Sequence, residues 1–261
     1  MIDKWNQSVE ILQMMRALQT SAPKTGGTVI VTLGNHEAEF LASAGDTKKA
    51  AEFTQELVAQ HIRPTDVIAG RDALGLGTWL RTRPLAAKVN DWFFCHAGNT
   101  SGATLPALEQ SLESGIDRDG FGAFILAQPN SLLEARLAPV PWWVLGTATA
   151  ASLTAPASSA PAPASSTPLP AGAAALQNYL TALGCHHLAM GHQPGKVDFG
   201  NGIVRPAGQP FSYAGLLFLM DVGASRGVQD SPGIVLKIQH LPRPSVSTLD
   251  DTGHEHPLWT P

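Results

Sequence analysis

The run Thr28-Val29-Ile30-Val31-Thr32-Leu33 is apolar or β-branched throughout, and Gly34-Asn35-His36-Glu37 follows it without a gap. β-branched side chains are stiff at χ1 and suit a pleated surface, so this run predicts a buried strand over 28–33. A helix-like stretch comes next. In α/β proteins, ligands bind outside the carboxyl ends of strands. The tetrapeptide therefore places an amide oxygen and an imidazole where such folds build their sites. Two more histidines share that setting. His96 closes Trp92-Phe93-Phe94-Cys95 and precedes Ala97-Gly98, while His192 closes Leu188-Ala189-Met190-Gly191. Asn, His and His at three strand ends form a donor set suited to a divalent metal such as manganese, iron or zinc.

A chain of 261 residues with 44% hydrophobic residues can bury a full core, as one large domain or one and a half. Its net charge of -4, with no cluster of Lys or Arg, supplies no field to attract nucleic acid. No apolar run approaches the length of a membrane span. Met1-Ile2-Asp3-Lys4-Trp5 lacks the basic-then-apolar layout of a signal peptide. The compartment stays open, with the cytoplasm as the default for the chain as written. Cys95 and Cys185 each lie in or beside an apolar run, which favours two buried thiols over a disulfide.

Val9, Leu12, Met15 and Leu18 recur every three residues, with Ile11 and Met14 widening the stripe, so an amphipathic helix is predicted over Ser8–Leu18. Pro23 and Gly26-Gly27 end it. Further helices are expected at Glu37–Ala44 and Lys48–Gln60, and one from Leu76 that breaks before Pro84. Strands are expected at Ala86–Val89 and Trp92–Cys95, joined by the turn-forming pair Asn90-Asp91. Residues 147–175 are almost wholly Ala, Pro, Ser and Thr, without periodicity or charge, and read as a disordered insertion. A helix at Ala174–Leu183 and strands at His187–Met190, Leu216–Val222 and Ile234–Gln239 complete the core. The domain plan is thus a first core part over 1–146, the insertion over 147–175, a second core part over 176–240, and a tail over 241–261. The tail, rich in Pro, Ser, Thr and Asp, reads as a surface strap or a disordered end.

Gly-Asn-His-Glu, then a strand-terminal His96-Ala97-Gly98, then Gly191-His192, resemble in order the second half of the motif series of calcineurin-like metallophosphoesterases. The segment Thr78–Val89 leading to Phe94-Cys95-His96-Ala97-Gly98, together with Gly191-His192-Gln193-Pro194 and Asp221-Val222-Gly223, is similar to Shewanella-like protein phosphatases. The resemblance implies an α/β sandwich of two mixed β-sheets flanked by helices. It also implies two divalent metal ions (Mn, Fe or Zn) that activate a hydroxide for in-line attack on a phosphate monoester.

By motif, Asn35, His96 and His192 would ligate one of the two metals, and His36 would protonate the leaving oxygen as general acid. Asp3-Lys4-Trp5-Asn6 resembles the end of the family's Gly-Asp-x-x-Asp-Arg motif. Asp3 would then hold His36 cationic and oriented, and Lys4 would meet the substrate phosphate in place of the usual arginine, without its bidentate fork. This alignment puts the bridging aspartate just before Met1 and the Asp-x-His pair further upstream. The chain accordingly reads as an amino-terminally truncated version that lacks the first strand and retains ligands for one ion. The expected substrate is a Ser/Thr or Tyr phosphoprotein or a small phosphoester. The alternatives are an inactive remnant or binding module of the same fold, and a phosphodiesterase or nucleotidase.

Other polar residues have plainer readings. Glu37 braces its loop, His186-His187 is structural, and His254-Glu255-His256 is solvated. Arg71-Asp72 lies at the surface. Arg81, Arg83 and Arg205 face solvent, with phosphate contact as the alternative.

Overall fold

A computed structural model describes residues 7–43, 47–144, 172–224 and 228–261. Asp3 and Lys4 lie outside the described residues, as does nearly all of the Ala/Pro/Ser-rich stretch. Helix α1 (Ser8–Ser21) opens the described chain and buries Val9 and Leu12. It has no side-chain cap of its own. Glu56 of α3 (Thr47–Ala59) supplies one, accepting the N–H groups of Ser8 and Val9 at 2.7 and 3.0 Å. A carboxylate there satisfies two orphan donors and complements the helix dipole. Between them lies α2 (Asn35–Ala42), and after them come α4 (Pro64–Ile68) and α5 (Leu76–Arg81). Asp72, expected at the surface, is instead buried, and its carboxylate accepts the Leu76 and Gly77 N–H groups at 2.7 and 2.9 Å, capping α5.

Strands β1 (Ala86–Val89) and β2 (Trp92–Cys95) form the expected hairpin. Helices α6 (Leu105–Asp119), α7 (Phe124–Ala127) and α8 (Ala173–Ala182) precede β3 (His187–Met190), which pairs in parallel with β2. A connection of that length is what a parallel pairing needs. A ribbon of β4 (Val197–Asp198) and β5 (Val204–Arg205) follows. Next, β6 (Phe211–Tyr213) and β7 (Leu217–Leu219) complete a mixed five-stranded sheet in the order β1-β2-β3-β7-β6.

Three departures from expectation stand out. The tail is not a strap. Ser245–Leu249 (β9) and Glu255–Trp259 (β10) join β8 (Val235–Gln239) in a three-stranded antiparallel sheet, so this second sheet is not mixed. Alternation of Val246 and Thr248 with Ser245, Ser247 and Leu249 gave the strand its two faces, within a composition that reads as loop. Third, residues 28–33 alternate in burial but form no ladder with any described residue. Among the described residues their one backbone bond runs from Leu33 N–H to the Pro84 carbonyl, at 2.9 Å. β-propensity needs a neighbouring edge to become a strand, and the described residues supply none.

The larger core packs α1, α2, α3, α5 and α8 with one face of the mixed sheet, through Phe93, Cys95, Leu188, Met190, Leu217 and Leu219. Trp92, Ala189 and Phe218 on the other face meet Val246, Leu236 and Ile238 of the second sheet. Cys95 and Cys185 are both buried and free, as expected. His187 is structural too: its ring stacks on Trp92 at 4.4 Å, and Nδ1 donates to the Gly215 carbonyl at 2.6 Å. No helix among the described residues is long and apolar enough to cross a membrane.

Candidate metal centre

Because β2 and β3 are adjacent and parallel, with Cys95 opposite Met190, the residues that follow them emerge side by side. His96 leaves the end of β2. His192 follows β3 after Gly191, whose N–H donates to the His96 carbonyl at 3.0 Å. Residues 28–33 end beside them, and Gly34 turns the chain into α2 with Asn35 as its first residue. Glu37, one turn in, accepts the Gly34 N–H at 3.0 Å and so braces the loop as expected. Glycine is required at 34 by proximity: an added Cβ would stand 2.8 Å from Glu37 Oε2 and 3.1 Å from the His96 ring.

Three polar atoms converge. His96 Nε2 lies 2.8 Å from Asn35 Oδ1 and 2.8 Å from His192 Nδ1, with the two rings 4.6 Å apart. Asn35 and His192 are buried. Burial is the leading cause that pushes His96 down to about 4 and His192 to about 3, against a nearby Glu37 that pulls His96 the other way. Both imidazoles are therefore neutral at pH 7, the form that ligates metal. Ligand atoms on one divalent ion at about 2.1 Å are themselves about 3 Å apart. The two separations measured from His96 Nε2 agree with that, so these donor types and distances are compatible with a metal.

The loop carrying His192 is held from several sides. His192 sits at φ 61°, in the left-handed region that a non-glycine residue enters only when its surroundings enforce it. Arg136 Nη1 donates to the His192 carbonyl at 2.9 Å, and Gln193 Oε1 accepts the Leu137 N–H at 2.9 Å. Arg205 does most. Read from sequence as solvent-facing, it is fully buried, and its guanidinium donates to the carbonyls of Gln193 (2.5 Å), Gly195 (2.7 Å), Gln209 (2.7 Å) and Asp221. A planar fork of five donors explains why arginine fills this place. No sequence signal separates such a residue from a surface arginine. Arg81 bonds to the Ile68 carbonyl and Arg83 to Gln19, not to Asn35, His96 or His192.

His36 follows Asn35 in the first turn of α2 and is half-buried; its charge is felt at the His96 ring. His254, just before β10, and His256, within it, lie exposed and far from this cluster in sequence and sheet.

No protein-family model matches the chain, and no curated protein matches it by sequence. Solved structures do. A mutant of a cold-active protein tyrosine phosphatase matches with a TM-score of 0.64 and 19% identity, over 98% of this chain and 66% of that one. The cold-active protein-tyrosine phosphatase of a psychrophilic Shewanella species matches with a TM-score of 0.64 and 18% identity, again over 98% of this chain and 66% of that one. At such identities the likeness is one of fold. The chain has a phosphatase-like α/β fold and spans 66% of the length of these structures.

Proposed function

We propose that this fold serves a metal-dependent phosphoesterase of the calcineurin-like superfamily, acting on phosphate monoesters, with a phosphoprotein as the substrate class. The observation that carries this reading is the convergence of Asn35 Oδ1 and His192 Nδ1 on His96 Nε2, each at 2.8 Å. Two neutral imidazoles and an amide oxygen suit manganese, iron or zinc. When bound, such an ion polarises phosphate oxygens and lowers the pKa of a coordinated water.

The chain's own residues supply the rest. Asn35 and the two histidines orient one another before any ion arrives, so little reorganisation is left for binding. His36 stands next to a ligand at a helix start and is positioned to deliver a proton to the departing oxygen. Asp3 would orient His36, and Lys4 would meet the phosphate as a point charge. The family series would place a second ion beside the first; Asn35, His96 and His192 make up the set for one.

Calorimetric titration with Mn²⁺ or Zn²⁺, followed by turnover of an aryl phosphate, tests the proposal. Saturable binding lost in His192→Ala, with hydrolysis lowered about a hundredfold or more in His36→Asn at unchanged metal affinity, is the expected result. Metal binding without turnover would favour a binding module instead, and absence of binding would overturn the reading altogether.

A further inference from the structure

The segment at residues 28–32 reads the same in both directions: Thr28-Val29-Ile30-Val31-Thr32 is a palindrome centred on Ile30. Among the described residues, no backbone hydrogen bond reaches any of these five positions, although burial alternates along them as it does along a strand. Val29 and Val31 pack toward the larger core, whereas Thr28, Ile30 and Thr32 line an open groove of 430 Å³ with Val89, Phe94 and Leu236. Ile30 is 48% exposed and Val89 43%. Natural edges are usually blunted by lysine, proline or an inward charge, and this one carries none.

We infer that Thr28–Thr32 is a self-complementary edge that docks a second copy of this chain, antiparallel, across a two-fold axis through Ile30. A two-fold interface brings the same patch of each copy together, so a strand can pair with itself only where its sequence tolerates reversal. Here reversal sets Ile30 against Ile30, Val29 against Val31 and Thr28 against Thr32. Each opposed pair joins like shapes on one face of the sheet, an arrangement that contributes favourably for β-branched and threonine pairs. Leu33 bonds toward Pro84, so the groups of 29 and 31 point to that same side, and those of 28, 30 and 32 point to the free edge. Those three residues form the hydrogen-bonded pairs with the second copy. The valines of both strands stay over their own cores, and the threonines and isoleucines make one continuous stripe along the grooves.

The contact is small, at the low end for protein interfaces, so association depends on concentration. Sedimentation equilibrium of the purified chain, in EDTA to keep metal out of the result, tests it. The expected outcome is a mass that rises toward roughly twice the monomer's with concentration, and that stays monomeric in Ile30→Lys. Oxidation of Ile30→Cys should trap a disulfide-linked dimer, whereas Val235→Cys, at the more exposed Val235 of β8 (63% against 48%), should not. The cysteine variant carries the test if the lysine variant fails to fold by circular dichroism. A monomer at every concentration overturns the inference; so does a dimer indifferent to Ile30→Lys, or equal crosslinking at 30 and 235. A groove built for a strand of some other polypeptide would give the first of these results.

Discussion

His96 and His192 hold their rings 4.6 Å apart at the carboxyl ends of two buried parallel strands, and His254 and His256 hold theirs 5.0 Å apart at the exposed start of β10. The residue types and separations are nearly the same, yet the surroundings differ in kind. In the first pair, burial drives both imidazoles to the neutral form and an amide oxygen joins them. In the second, His256 Nε2 meets the Asp250 carboxylate at 2.9 Å, and that carboxylate, which also accepts from Thr252 and from the His254 N–H, is held below its usual range. One pair is desolvated and converges with an amide oxygen. The other is a solvent-exposed contact with a carboxylate, worth little. Histidine spacing alone does not make a ligand set; convergence and desolvation do.

The sharpest way to break this comparison is to remove one histidine from each pair. His192→Ala is expected to weaken Zn²⁺ binding about a thousandfold by calorimetry, while His254→Ala leaves it unchanged. Equal losses would mean that the tail binds the metal. The next largest effect concerns support for the buried pair. Arg205→Met strands four carbonyls that now share one guanidinium, and should lower stability by about 3 kcal/mol in urea unfolding. Arg205→Lys, with fewer donors and no plane, should recover only part of this. Gly34→Ala comes third. Its Cβ must displace Glu37 or the His96 ring, at about 2 kcal/mol, and metal affinity should fall with it.

The smallest effect is a dependence on pH. Burial, its largest cause, lowers the His187 pKa below the ordinary value. The unfolded chain therefore takes up a proton first, near pH 6.5, and stability present above that pH is lost as the pH falls below it. Urea midpoints measured at successive pH values should decline on the acid side of neutrality. His187→Gln should flatten the decline only in part, because His96 and His192 carry the same sign.

Much of the architecture was legible in the order of residues. Hydrophobic period located α1, α3 and α8 to within a few residues, and alternation with a turn pair located β1 and β2. The convergence of Asn35, His96 and His192 was legible because each closes a run with strand character. Other features were not. The β-branched run 28–33 carries strong strand propensity, yet forms no ladder among the described residues, because a strand is a relation between two edges and propensity describes only one. Ser245–Leu249, weak by composition, is a strand because β8 and β10 flank it on both sides. Arg205 could not be told from a surface arginine, since its carbonyl partners come from four separate positions of the chain.

By itself, then, the sequence determined which residues are chemically able to act: an amide oxygen and three imidazoles at strand ends, two thiols destined for the interior, and a reversible β-branched segment. Those are properties of side chains and of local order. Folding alone set His96 Nε2 2.8 Å from both of its partners, made Arg205 interior, and left Thr28–Thr32 without a ladder partner among the described residues. The reason is physical. Convergence, desolvation and pairing are set by parts of the chain far apart in order, and they exist only once the sheet brings those parts together.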